Sequence, residues 1–125
     1  MPYRVLVIDD SEAVRTRLIS AMSSIPAAEV VGAAATADDG IALAAAEQPH
    51  LVTLDLIMPG RSGLHAIPEL RQVAPECEIV VFTDYPYPEA RRHCLDLGVT
   101  HLLSKAQDFA KLLTIVKERS QAFLE

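Results

Sequence analysis

Five short aliphatic runs, each followed by a helical pattern, constrain this chain more than anything else in it. Val5-Leu6-Val7-Ile8 is continuous and rich in β-branched residues, as a strand covered on both faces should be, and it stops at Asp9 and Asp10. Val14, Leu18, Ile19 and Met22 then recur at helical spacing, with Ser11 or Asp10 placed to cap the start and Pro26 to end the segment. Val30 to Ala34 reads as a second strand, and Ile41, Leu43, Ala44 and Ala45 sit in an alanine-rich helix closed by Pro49. Leu51-Val52-Thr53-Leu54 is again strand-like and delivers Asp55 to its end. Pro59, Gly60 and Gly63 mark a loop before the helical face of Leu64, Ile67, Leu70 and Val73. Pro68 falls inside that face, where it either kinks the helix or, if the helix begins late, tightens its first turn. Ile79-Val80-Val81-Phe82 delivers Thr83 and Asp84, and Ala90, Cys94, Leu95 and Leu97 predict a fourth helix with Gly98 as its C-terminal cap. Leu102-Leu103-Ser104 delivers Lys105, and Phe109, Leu112, Leu113 and Val116 predict a last amphipathic helix.

Strands separated by single helices, at spacings that allow only crossover connections, imply an α/β fold. The expected architecture is a doubly wound, five-stranded parallel sheet in the order 2-1-3-4-5 with helices on both faces, and the ligand site of such a sheet lies at the carboxyl ends of its strands. The chain has 125 residues, half of them apolar, which suits one domain over residues 1–125, without repeats, linker or low-complexity segments. A net charge of -6, with basic residues scattered except for Arg91 and Arg92, argues against direct nucleic-acid binding. The apolar runs fall far short of the roughly 18 residues of a membrane span. The N-terminus meets two aspartates too soon for a secretory signal, so the expected location is cytoplasmic. Cys77 and Cys94 have neither zinc-ligand spacing nor the density of a disulfide scaffold and read as ordinary thiols. His50, His65, His93 and His101 share no ligand spacing with the acids and read as surface or packing residues, as Phe82, Tyr85 and Tyr87 read as packing, with Tyr85 near enough to the site to shape access.

The strand ends carry Asp9, Asp10, Asp55, Thr83 and Lys105 to one crevice. Singly, each has a bland reading as a helix cap, a strand end or a solvated lysine. Jointly they do not, because independent caps and surface charges have no reason to converge. Three carboxylates held close repel one another at low dielectric unless a cation or a proton neutralises them. Magnesium takes oxygen ligands, keeps several waters and uses one or two carboxylates with phosphate oxygens. Asp10 and Asp55 are the expected direct ligands, with Asp9 acting through water. Asp55 is then the nucleophile of an aspartyl-phosphate reaction. Lys105 supplies a mobile point charge and Thr83 a hydroxyl donor for the phosphoryl oxygens.

With those residues in register, the chain resembles the response-regulator receiver domains over essentially its whole length. The resemblance is carried by Asp9-Asp10 after the first strand, the run Asp55-Leu56-Ile57-Met58-Pro59-Gly60, Thr83 after the fourth strand and Lys105 after the fifth. It implies a flavodoxin-like fold and phosphorylation of Asp55, dependent on magnesium or manganese, by a histidine kinase or phosphotransfer protein. It also implies the backbone carbonyl of Ile57 as a further metal ligand. Phosphorylation would switch the surface of the fourth helix, fifth strand and fifth helix, which meets a downstream protein target. Such a domain loses its phosphoryl group slowly and is no turnover enzyme. No output domain is expected after the last helix, so the chain is either a stand-alone regulator or a receiver cut from a longer one.

Three positions depart from the family pattern. Ala106 stands where the family has a proline after a cis bond; a cis bond before alanine costs about 2.5–4 kcal/mol against about 0.5–1 before proline, which leaves the isomer open between a cis bond and a trans bond with a rearranged loop. Leu102 stands where the family has a switching aromatic. Asp84 replaces a small residue and, with Ile57, is expected to hinder an attacking water. Alternatives of other classes are a phosphorylation-independent receiver acting as a binding module, a flavin module, which Asp9-Asp10 would repel, and an aspartate-based phosphatase, whose acids would lie two apart on the first strand.

Overall fold

The computed structural model describes residues 1–125. Five strands, β1 (Tyr3–Ile8), β2 (Ala28–Ala34), β3 (Leu51–Leu54), β4 (Glu78–Thr83) and β5 (His101–Ser104), form one sheet in the order β2-β1-β3-β4-β5, all pairs parallel. The helices are α1 (Glu12–Met22), α2 (Ala37–Glu47), α3 (Gly63–Val73), α4 (Pro88–Asp96) and α5 (Phe109–Leu124). The expected fold class and strand order are those observed.

Alternate residues of each strand feed two separate cores. Leu6, Ile8, Val52, Leu54, Ile79 and Val81 pack with residues of α2, α3 and α4 on one face; Val5, Val7, Leu51, Val80 and Phe82 pack with α1 and α5 on the other. That double coverage is why the central strands read as unbroken apolar runs. β2, at the edge, is only partly buried and its register with β1 shifts between Val5 and Leu6. No helix is long and apolar enough to cross a membrane.

Helix boundaries follow local chemistry. Ser11, not Asp10, caps α1, its hydroxyl accepting from Val14 N. α2 ends on Gln48 at φ 46, a left-handed residue that the adjacent Pro49 had obscured. Pro68 is the sixth residue of α3, beyond the first turn, and the helix runs past it to Val73. Gly98 (φ +92) stops α4, with Val99 N donating to the Cys94 carbonyl over 3.0 Å. Cys77 and Cys94 are buried free thiols whose pKa values burial pushes up, as inert core cysteines should be. His50 packs between Tyr3 and Phe123, with ring centroids 5.2 and 4.4 Å away.

α5 is tied to the far end of the sheet by Arg119, whose Nε donates to Glu78 Oε1 over 2.8 Å. Burial raises the Glu78 carboxyl, but bonds from Arg119 and Thr100 outweigh it and hold the group below its usual range. A depressed carboxylate contributes stability above its unfolded pKa and loses it as pH falls through the folded one. Arg119→Gln is therefore expected to cost about 1 kcal/mol near neutrality, Arg119 being itself partly exposed, and close to nothing in acid below the carboxylate range. Urea unfolding at the two pH values measures the difference.

Candidate functional site

The polar crevice is set by strand register. Ile8 pairs with Leu54, and Asp55 N donates to the Ile8 carbonyl over 3.0 Å, so the residues that follow these strands come out side by side. Asp9, Asp10 and Asp55 each offer a carboxylate oxygen within 4.8 Å of the others. Asp9 and Asp55 are buried and Asp10 is exposed. Thr83 is fully buried at the end of β4, and its carbonyl accepts from Lys105 N over 2.9 Å.

Lys105 reaches inward between the acids. Its Nζ lies 2.7 Å from Asp9 Oδ2 and 3.0 Å from Asp55 Oδ2. Burial lowers the pKa of this ammonium, but hydrogen bonds and charge from Asp9 and Asp55 outweigh it and the value is raised. Burial also raises the Asp55 carboxyl, more than the bond and charge of Lys105 lower it, and the charge of Asp9 adds to the rise. One ammonium shared by two buried carboxylates therefore leaves Asp55 under-neutralised.

The loop carrying Lys105 explains how alanine serves after it. The chain contains no cis peptide bond, so the Lys105–Ala106 bond, left open by the sequence, is trans. Asp108 Oδ2 accepts from Ser104 N over 2.8 Å, Asp108 N donates to the Ser104 carbonyl over 2.8 Å, and Ser104 Oγ accepts from Ala106 N over 3.2 Å. These three bonds close the turn and aim Lys105 at the acids. Leu102 is buried, as a leucine at that position should be.

Asp9 is already committed. Its Oδ1 accepts from Ser11 N over 2.9 Å, its Oδ2 pairs with Lys105, and its carbonyl accepts from Arg15 Nη1 over 2.8 Å. Asp55 Oδ1 takes only a long bond, 3.3 Å, from Ile57 N. The oxygens with coordination capacity to spare are thus those of Asp10 and Asp55. Hard oxygen donors on one point, with negative charge in excess, fit a hard divalent cation.

Two contributors escaped the sequence reading. Arg15, whose Nη1 donates to the Asp9 carbonyl, belongs to none of the motifs or apolar patterns of the sequence. Gly63 looked like a loop glycine, yet a Cβ there would lie 2.0 Å from the Asp55 carbonyl oxygen, and Gly63 N donates to the Leu56 carbonyl over 2.9 Å. Only glycine lets the start of α3 lie against the acceptor strand end, a closeness between segments that periodicity cannot show. Gly63→Ala is expected to lower stability by about 3 kcal/mol and displace Asp55, as a urea midpoint and a phosphorylation rate would read. One expectation is corrected: Tyr85 and Tyr87 are 48% and 60% exposed rather than packed, because they lie on the loop between β4 and α4 and outside both core clusters.

The family model for the response regulator receiver domain matches residues 5–117. The chain is 38% identical over 111 residues to protein-glutamate methylesterase/protein-glutamine glutaminase 2 of Anaeromyxobacter dehalogenans, covering 89% of this chain and 32% of that protein. It is 36% identical over 112 residues to the nitrate/nitrite response regulator protein NarL of Escherichia coli, covering 90% of this chain and 52% of that one. The chain thus spans a third to a half of the length of these relatives. A solved response regulator protein from Burkholderia pseudomallei, with a phosphorylated aspartic acid, calcium ion and citrate, matches with a TM-score of 0.82 at 26% identity, over 97% of this chain and 70% of that one. A match running almost end to end, on the fold and strand ends described above, means that this chain belongs to the response regulator receiver domain family of two-component systems.

Proposed function

We propose that Asp55 accepts a phosphoryl group from a histidine kinase or phosphotransfer protein in a magnesium-dependent reaction, switching the surface that the domain offers a downstream protein. The observation that carries this reading is the placement of Asp55: buried, under-neutralised, 3.0 Å from Lys105 and within reach of Asp10. A Burkholderia pseudomallei relative has a phosphorylated aspartic acid and a calcium ion, which supports the same chemistry here.

Asp10, Asp55 and the carbonyl of Ile57 would hold the ion directly, with Asp9 acting through water because both its oxygens are engaged. Bound there, the ion would supply positive charge for the phosphoryl oxygens. The remaining chemistry belongs to the chain. An Asp55 carboxylate oxygen forms the bond to phosphorus as the donor's P–N bond breaks, with the electron pair leaving on the donor imidazole. Lys105 turns from the Asp55 carboxylate to a phosphoryl oxygen, and the Thr83 hydroxyl donates to another. A phosphorylation-independent binding module would be favoured by a misplaced Lys105, and its contacts at 2.7 and 3.0 Å weigh against that.

The test is phosphorylation by acetyl phosphate with and without magnesium, in the wild type and in Asp55→Asn; labelling of both proteins alike would refute the assignment. A second expectation concerns lifetime. Asp84 and Ile57 are both exposed, flanking residues of the crevice. If they obstruct an attacking water, Asp84→Ala shortens the phosphoryl half-life; an unchanged or longer half-life removes that role.

A further inference from the structure

The turn that joins β1 to α1 is held through Asp9. Asp9 N donates to the Ala34 carbonyl over 3.0 Å, and Asp9 Oδ1 accepts from Ser11 N over 2.9 Å. Asp9 Oδ2 lies 2.7 Å from Lys105 Nζ, and the Asp9 carbonyl accepts from Arg15 Nη1 over 2.8 Å. Asp10 is the opposite case: it is exposed, and these bonds all end on its neighbour, although it is one of the three acids on the crevice. Lys105 lies against Asp9 and Asp55, so the repulsion that Asp10 meets from both is offset least.

What orients Asp10 is therefore its backbone. The Asp9 carbonyl, the Asp10 amide and both α-carbons lie in one plane. Fixing the carbonyl oxygen fixes that plane, and with it the direction in which the Asp10 α-carbon presents its side chain. Arg15 is the fourth residue of α1, and helical side chains lean toward the helix N-terminus. Its half-buried guanidinium thus reaches back over the Ser11 cap to the preceding peptide, where the bond it makes is charge-assisted.

We propose, resting on the magnesium-dependent phosphorylation of Asp55 put forward above, that Arg15 is a positioning residue of the metal site: by holding the Asp9–Asp10 peptide it keeps the exposed Asp10 carboxylate turned toward Asp55. The consequence runs against simple charge. A cation beside a cation site opposes binding, so by Coulomb repulsion alone the loss of Arg15 would tighten magnesium. Position outweighs charge here. Water screens a half-exposed guanidinium, whereas magnesium demands near-ideal octahedral geometry and suffers directly from a misplaced carboxylate.

Calorimetric titration of the metal-free protein with magnesium chloride reads the affinity. Arg15→Met, which keeps an unbranched stem but loses donor and charge, is expected to bind magnesium about 10-fold more weakly than the wild type, the lower end of what losing an outer-shell partner costs a metal site. Arg15→Lys keeps the charge as an ammonium on a different reach and is expected to fall between the two. Arg17→Met controls for charge: the Arg17 guanidinium stacks 3.7 Å over the Phe109 ring, and its loss is expected to leave the affinity unchanged. With acetyl phosphate as donor, the magnesium concentration giving half the maximal rate should rise in Arg15→Met by the same factor as the affinity falls, while the rate at saturating magnesium stays near that of the wild type. The proposal is overturned if Arg15→Met, or Arg15→Lys should the methionine variant not fold, binds magnesium as tightly as the wild type or more tightly. An equal weakening in Arg17→Met overturns it too, as does a lower saturated rate with unchanged half-saturation. Each of these outcomes leaves the phosphorylation of Asp55 standing. A wild type that binds no magnesium overturns both.

Discussion

Lys105→Ala is expected to cost the metal-free domain about 3 kcal/mol, because removing one partner of a buried ion cluster leaves the others charged and unpaired. The side chains concerned are 10%, 3% and 5% exposed for Lys105, Asp9 and Asp55, too little for water to take over. For a domain of this size the loss is a fall in melting temperature of about 10–15 °C. Its pH dependence has a definite sign. The raised Lys105 pKa stabilises the wild type below the ordinary lysine range and ceases to do so as pH rises through the folded value. The raised Asp55 pKa works the other way, as a penalty present above its folded value and absent below its unfolded one. The deficit of Lys105→Ala should therefore shrink in acid, where Asp55 takes up a proton. Magnesium should also rescue this variant more than the wild type, since a ligand that binds only the folded state stabilises it by mass action. A metal-free variant melting within about 2 °C of the wild type would mean that the ammonium is not what holds the acids together.

Asp55→Asn is expected to abolish phosphorylation altogether while raising the melting temperature of the metal-free protein. The first effect follows because an amide offers no carboxylate nucleophile. The second follows because burial disfavours the charged Asp55, so a neutral isostere removes a penalty. Lys105 remains paired with Asp9 at 2.7 Å, which leaves the fold its principal buried ion pair. The stabilisation gained from magnesium should fall at the same time, because an expected ligand is lost. Thermal unfolding with and without magnesium reads all of this; a lower metal-free melting temperature would show that the Asp55 charge supports the fold.

The four strands β1, β3, β4 and β5 were legible because a parallel sheet covered on both faces needs continuous apolar runs, and each of these runs stops where a polar side chain enters the crevice. The convergence of Asp9, Asp10 and Asp55 was legible for the same reason, since topology alone brings those strand ends together. What the pattern could not convey is close approach. Gly63 is dictated by a carbonyl eight residues earlier, and Gln48 takes a left-handed conformation beside a proline that already announced a helix end. Lys105 illustrates the limit in reverse: Ala106 left the course of the loop open, and it was Ser104 and Asp108, neither singled out by spacing, that supplied the bonds closing it. Tyr85 and Tyr87 misled because aromatic residues usually pack in a core.

The central claim is that the Asp55 carboxylate takes a phosphoryl group. Intact-mass spectrometry after incubation with acetyl phosphate measures it most directly, with the modified peptide then mapped. With magnesium present, the wild type should gain the mass of one phosphoryl group on the peptide containing Asp55, and neither the magnesium-free sample nor Asp55→Asn should gain it. No mass increment in the wild type, or an increment on any other residue, would contradict the account.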